Sequence, residues 1–320
     1  FSSTYYNQGS LNNKGVEFSL NAQIIDSSSW KWSVSGNIGV NRNEISDLGL
    51  LPADFGCLGE RVGYYGNSLG DHFGVGHIFL AGEAPGLFYG YVTQGIVQKE
   101  DITENGIKYI KQDGSVGYYQ TVNKTTPVAG DVKYVDRNGD GVVDDNDRDI
   151  IGNPNPDFTY GFQTKVSWKS LSLSASFNGV QGRDILNVGN RYNNTPGTKS
   201  NNVTRKAFQN MWTDENPSNL YPKSTFVVQN MVMDRYVEDG SYLRCSDITL
   251  SYVLPAKWTN KIGIKNTSVY ASVKNAFVIT DYSGYDPEVN SFAFDGLRPG
   301  VDMNSYPTPR SFVFGLNLTF

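Results

Sequence analysis

Phe312, Phe314, Leu316, Leu318 and Phe320 take every second position in the last nine residues, and Val313 is the only apolar residue between them. Successive side chains of a β-strand point to opposite faces, so this segment predicts a strand with one apolar face and one face of small or polar groups. The same alternation recurs along the chain. Residues 16–24 set Val16, Phe18, Leu20, Ala22 and Ile24 against Glu17, Ser19, Asn21 and Gln23. After a polar turn at 26–29, Trp30, Trp32, Val34, Gly36, Ile38 and Val40 alternate with Lys31, Ser33, Ser35, Asn37, Gly39 and Asn41. Residues 158–168 and 171–178 repeat the scheme across the two-residue link Lys169-Ser170, and shorter versions cover 248–254 and 269–273. Upstream of Ile248 the alternation is interrupted by Leu243 and Cys245.

Seven strands of this kind predict an all-β protein, and their polar positions are rich in Ser, Asn, Gln and Thr. That combination fits an antiparallel transmembrane β-barrel, with lipid outside and water inside. The connections fall into two classes. Short ones join 24 to 30, 168 to 171, and 254 to the region of 267; long ones occupy 43–157, 182–240 and 281–308. Short turns on one side and long extracellular loops on the other are the asymmetry of bacterial outer-membrane barrels. With the short turns periplasmic, 43–157 must supply an even number of spanning strands, zero included, and residues 87–98 are a candidate for one of a pair. Trp30, Trp32, Trp168, Tyr252 and Phe320 then share one membrane edge, where an apolar ring with a wet N–H or O–H is favoured. Seven strands do not close a barrel around so much loop. The chain, which opens at Phe1 in mid-pattern, therefore reads as the C-terminal part of a larger barrel, with the remaining strands N-terminal to it.

Composition narrows the reading. Apolar residues make up 38%, with 34 Gly, 20 Tyr and 17 Phe, and mean hydropathy is −0.40. No apolar run approaches the ~18 residues of a transmembrane helix, a test that barrel strands escape because half their side chains are polar. The net charge of −5 offers no basic patch for nucleic acid. Cys57 and Cys245 match no metal spacing and read as two unpaired thiols.

One motif carries recognisable chemistry. Asp136, Asn138, Asp140, Val142 (through its carbonyl), Asp144 and Asp147 fall at positions 1, 3, 5, 7, 9 and 12 of a calcium-loop template, with Gly141 at the turn. Calcium takes six to eight hard oxygens, and this spacing folds them around one centre. Asp147 replaces the usual Glu, which shortens the closing reach. No apolar helix flanks the loop, so calcium is expected to be structural. Other signals are weaker. His72 and His77 lie five apart in a Gly-rich loop, and that stretch, 56–76, lacks the strand–helix context of a phosphate site. No acidic pair is marked as acid and base, so the chain is not expected to be an enzyme. Residues 203–212 predict a short amphipathic helix. The loop aromatics Tyr64, Tyr65, Phe73, Tyr192, Trp212, Phe292 and Phe294 are candidates for stacking on sugars or peptides in an outer vestibule, although packing within the loops is the simpler use of each. Two other readings stay open on these residues: a soluble secreted β-sandwich or adhesin with a calcium-bound loop, and a passive diffusion porin.

A wider set of motifs points to one family. The run Gly130-Asp-Val-Lys-Tyr-Val-Asp-Arg-Asn-Gly-Asp-Gly141 is followed by Asp147-Arg-Asp-Ile-Ile-Gly-Asn-Pro-Asn-Pro156, Tyr160-Gly-Phe162 and Phe177-Asn-Gly-Val-Gln-Gly182. Together with Trp212-Thr-Asp-Glu-Asn-Pro217, Gly240-Ser-Tyr-Leu-Arg244 and Tyr306-Pro-Thr-Pro-Arg-Ser311, this closely resembles the C-terminal half of SusC/RagA-type TonB-dependent transporters of Bacteroidetes. The resemblance spans nearly the whole chain. It implies a 22-stranded barrel in the outer membrane of a Gram-negative bacterium, with a plug domain and a TonB-contacting segment N-terminal to these residues. It also implies a SusD-like lipoprotein on the outer face, energy from the TonB complex, and barrel assembly machinery acting on the terminal strand Phe312–Phe320. The expected activity is import of oligomeric nutrients, glycans ahead of peptides.

Overall fold

A computed structural model describes residues 9–70, 73–195, 202–224, 231–259, 264 and 266–319. Seven long strands form one antiparallel sheet: β1 (Ser10–Asp26), β2 (Trp30–Asp47), β3 (Phe158–Trp168), β4 (Leu171–Gln181), β5 (Tyr242–Val253), β6 (Asn266–Thr280) and β7 (Ser311–Thr319). Each pairs with its neighbours in chain order, giving a meander with β1 and β7 at its edges. The 11 residues of β3 and of β4 suit a tilted strand crossing a bilayer. β1 and β2, at 17 and 18 residues, run well past that length toward the long connections.

The register lines the alternate apolar residues into rows. Trp32, Val166, Leu173, Leu250, Ala271 and Phe314 sit side by side across β2 to β7, and the next row holds Trp30, Trp168, Leu171, Tyr252, Val269 and Leu316. The Trp30 and Trp168 rings lie 5.9 Å apart at the short-turn end, while Phe320 lies outside the described residues. Nothing among the described residues covers this face: Phe314 is 79% exposed, Leu173 49% and Leu318 42%. A contiguous apolar surface of this extent on one sheet needs a non-aqueous neighbour, and no second sheet packs on it among the described residues, as a sandwich would require. The opposite face carries Asn21, Ser35, Gln163, Ser176, Asp247 and Lys274 in one row, and Gln23, Ser33, Lys165, Ser174, Thr249 and Ser272 in the next.

The interruption upstream of Ile248 is a phase shift, not a loss of pattern. Ser246 is an extra residue in β5, so that Phe177 pairs with Cys245 while Ser176 pairs with Asp247. A bulge of this kind moves the following residues onto the other parity, and Leu243 and Cys245 thereby join Ile248, Leu250 and Tyr252 on the outer face. Ser246 Oγ donates to the Ser176 carbonyl at 3.1 Å and ties the bulge down.

The core lies elsewhere. Among the described residues the three long connections contribute no spanning strand; they fold together into a cap with its own apolar interior, drawn from Phe88, Tyr91, Tyr109, Tyr119, Tyr134, Leu186, Trp212, Met233 and Val301 among others. The candidate spanning segment 87–98 is corrected accordingly. Leu87–Gly90 and Thr93–Ile96 are four-residue strands in two separate small sheets of the cap, far too short to cross a membrane. Buried tyrosines keep their hydroxyls paired: Tyr109 donates to the Asp136 carbonyl at 2.8 Å, and Tyr119 accepts from the Tyr134 amide at 3.1 Å. The helix expected at 203–212 appears as Arg205–Asn210, capped by the Thr204 hydroxyl.

Candidate transport surface

The polar face of the sheet and the cap segments fastened to it carry the candidate residues. On the wall, Asp247 anchors a network. It accepts from Lys274 at 2.7 Å, from Ser272 at 2.6 Å and from Thr249 at 2.7 Å. Higher up, a cap segment is fastened to the same face. Arg244 of β5 bonds Asp286 at 2.5 Å, and both side chains are almost fully buried. Glu288 accepts from Asn178 at 3.0 Å and from Tyr242 at 2.7 Å, while the Arg183 guanidinium donates to the Pro287 carbonyl. Burial pushes the Asp286 carboxyl up, but the Glu288 and Thr308 amides and the Arg244 guanidinium outweigh it and hold the group below its ordinary value. This clasp was not legible in the sequence, because its partners lie 42 residues apart. The available signal was an arginine inside an otherwise alternating strand.

The calcium-template loop is well ordered by its own backbone. Gly139 and Gly141 have φ of 77° and 86°, where a side chain would be strained, and their amides bond the two carboxylate oxygens of Asp136 at 2.6 and 2.8 Å. The buried Asp147 accepts three backbone N–H groups, from Arg137, Asn138 and Asp144. Asn138 and Asp140 each accept the amide two residues on, and Asp144 caps the turn Asp145–Asp147. Burial raises the Asp147 carboxyl above its ordinary value, its amide partners counter this, and the Asp136 charge adds to the rise. The oxygen donors suit calcium, but as arranged they serve backbone amides. Among the described residues, no three His, Cys, Asp or Glu side chains are gathered to hold a metal.

The vestibule aromatics do not converge on one cleft. Tyr64 stacks on Phe79 at 4.9 Å, and Tyr65 packs against Phe55 and Tyr89. Tyr192 meets Phe73 edge-on at 5.7 Å. Trp212 lies in the cap core, with its indole N–H donated to Gln98 at 3.0 Å. Phe292 is covered by the Arg298 guanidinium at 3.9 Å. Phe294 alone of the seven stands fully exposed. His77 is buried, with Nε2 donating to the Pro299 carbonyl, and His72 lies outside the described residues. Cys57 and Cys245 are both free thiols.

No protein-family model matches the chain. Among curated proteins it is 31% identical over 329 residues to the TonB-dependent receptor P26 of Formosa agariphila, an alignment covering all of this chain and 30% of that protein. It is 32% identical over 323 residues to the TonB-dependent receptor SusC of Bacteroides thetaiotaomicron, covering 98% of the chain and 27% of the relative. Among solved structures, the RagAB peptide transporter superimposes with a TM-score of 0.70 at 26% identity, over 99% of this chain and 30% of that one. The chain thus spans about 30% of the length of the curated relatives it matches. Those relatives are receptors and transporters, not enzymes. Matched end to end at these identities, and folded as a barrel wall beneath a cap, the chain belongs to the SusC/RagA family of TonB-dependent outer-membrane transporters, whose C-terminal part it fits.

Proposed function

We propose that this chain supplies part of the wall and outer cap of a TonB-dependent importer of oligomeric nutrients, glycans ahead of peptides, working beneath a SusD-like lipoprotein. The observation that carries the reading is the sorting of the sheet into an exposed apolar face and a continuous polar one, as a water-filled barrel in lipid requires. The names of its relatives add TonB dependence. In a strain carrying the whole transporter, deletion of TonB should abolish uptake of the cognate oligomer while leaving the barrel assembled. Uptake that persists without TonB would identify a passive porin instead. Growth on oligosaccharides against growth on peptides separates the two cargo classes.

Calcium in the 136–147 loop is a second element of the proposal. It is supported by the two buried carboxylates of Asp136 and Asp147, whose mutual repulsion a cation would relieve. Asp136, Asn138, Asp140, the Val142 carbonyl, Asp144 and Asp147 would supply the ligands. Addition of calcium should raise the melting temperature of the cap, and Asp147→Asn should remove that increment. A melting temperature indifferent to calcium and to chelator would show the loop to be held by its amide hydrogen bonds alone.

A further inference from the structure

We infer that Tyr270 and Gly315 form a register lock between β6 and β7, and that this joint aligns β7 while the barrel wall assembles. It bears on how the wall is built and does not depend on the cargo. Tyr270 is out of place by the rule that sorts the rest of the wall. It points inward with Ser268, Ser272 and Lys274. Apart from Tyr242 above the bulge, it is the only aromatic on the polar face of the seven strands among the described residues. Its direct partner on β7 is Gly315, and the ring lies over that residue. A Cβ built at Gly315 would fall among Cε1, Cζ and Oη of Tyr270, closer than any side chain could come. Glycine leaves room for the ring, and the ring covers the backbone that a glycine exposes.

The outer face of β7 carries little register information. Phe312, Phe314, Leu316 and Leu318 stand opposite Val273, Ala271, Val269 and Thr267. A one-residue slip would turn the polar set into lipid and is excluded. A two-residue slip keeps both faces and only trades one apolar contact for another. No tight turn sets the alignment either, because β7 returns from the long connection 281–310, whereas Lys169-Ser170 aligns β3 with β4. Two hydrogen bonds accompany the joint: Asn317 donates to Ser268 at 3.4 Å, and Asn275 to the Pro309 carbonyl at 3.1 Å. Both are exposed, and water can replace them. The joint differs because it excludes. Sliding by two residues brings Val313 or Asn317 opposite Tyr270, and either side chain would need the volume the ring fills.

The alignment matters beyond this strand pair. β7 is an edge of the sheet, and barrel closure gives that edge a partner. Stagger between neighbours is tied to strand tilt and barrel size, so an error at β6–β7 would be carried into the closing seam. The other strand pairs separated by long connections also carry a specific tie. The Trp32 indole N–H donates to the Thr164 hydroxyl at 3.0 Å between β2 and β3, and the Ser246 bulge is pinned to β4. Tyrosine lies over glycine again at Tyr160–Gly179 and Tyr109–Gly117, in hairpins whose own turns align the strands.

The test uses the whole transporter in cells, with assembly scored by heat-modifiable gel migration and register by disulfide formation under an added oxidant. Ser272→Cys with Val313→Cys reports the native alignment. Ser272→Cys with Ser311→Cys, and Ser268→Cys with Thr319→Cys, report the two slipped ones, since only directly opposed residues come close enough to bridge. With Tyr270 intact, the native pair alone should close. Tyr270→Ala should lower the assembled fraction by about threefold or more, the scale of a lost cross-strand aromatic contact, and let the slipped pairs close. Tyr270→Phe, which keeps the ring, should match the unaltered protein. Tyr270→Gly with Gly315→Tyr rebuilds the joint from the opposite strand and should recover most of the loss. Closure of the native pair alone in Tyr270→Ala, at full or reduced assembly, would overturn the lock. Damage from Tyr270→Phe equal to that from Tyr270→Ala would overturn the role of the ring. Where Tyr270→Ala leaves too little protein to score, recovery in the reversed joint supports the lock and its absence overturns it.

Discussion

His77 shows how one buried side chain couples the cap to pH. Burial depresses its pKa from 6.5 to about 4, against the smaller opposing effect of the Pro299 carbonyl; Arg298 and Asp295 are the charges in reach. The folded cap therefore holds a neutral imidazole where the unfolded chain binds a proton. Stability is complete above pH 6.5 and falls as pH drops from 6.5 toward 4, by on the order of 3 kcal/mol in all. Replacement by Gln should flatten the melting temperature across that interval, whereas an unchanged slope would assign the pH dependence to other groups. None of this was visible in the sequence, where His77 was one of two loop histidines. Its burial depends on Phe88, its partner across a short hairpin, and on Pro299, which is remote in the chain.

At the level of the strands, period-two alternation made the wall legible, because each strand meets hydrocarbon on one side and water on the other. The assignment is testable at adjacent residues. Leu173→Arg should impair assembly, at about 2–4 kcal/mol near the bilayer midplane, while Ser172→Arg, one step along β4 and facing inward, should be tolerated. Equal damage at both positions would reverse or abolish the assigned faces. The clasp on the long connection was illegible, since nothing periodic announces Asp286 or Glu288. Asp286→Ala leaves the buried Arg244 with Glu288 at 3.4 Å as its remaining acidic partner, and breaking a buried ion pair typically costs about 3–5 kcal/mol. Faster hydrogen exchange at the Glu288 and Thr308 amides should report it, and unchanged exchange would show that the segment is held by other contacts.

Across the whole molecule, the surprise for a sequence reader is where the interior lies. The most regular part of the chain has no core, and the part that reads as loop is the densely packed body. Its strands are two to five residues long, too short to carry a period, and Tyr89, Tyr109, Tyr119 and Tyr134 are buried by contacts that no local pattern encodes. The two bodies should fail separately. Phe88→Ala, which empties a fully buried site, should cost the cap about 3–5 kcal/mol and admit protease there, while the wall keeps its resistance to unfolding in detergent; simultaneous loss of both would make them one cooperative unit. A last consequence belongs to the extra serine in β5. Drawn into the ladder as an ordinary rung, Ser246 would turn everything upstream by half a turn: Arg244 would be aimed at acyl chains, its acidic partners stranded indoors, and Leu243 turned into the water-filled bore. Excised, it would leave an unbroken two-residue beat with Arg244 still indoors and Leu243 still in oil. The serine is thus a spacer whose removal the strand can bear and whose straightening it cannot.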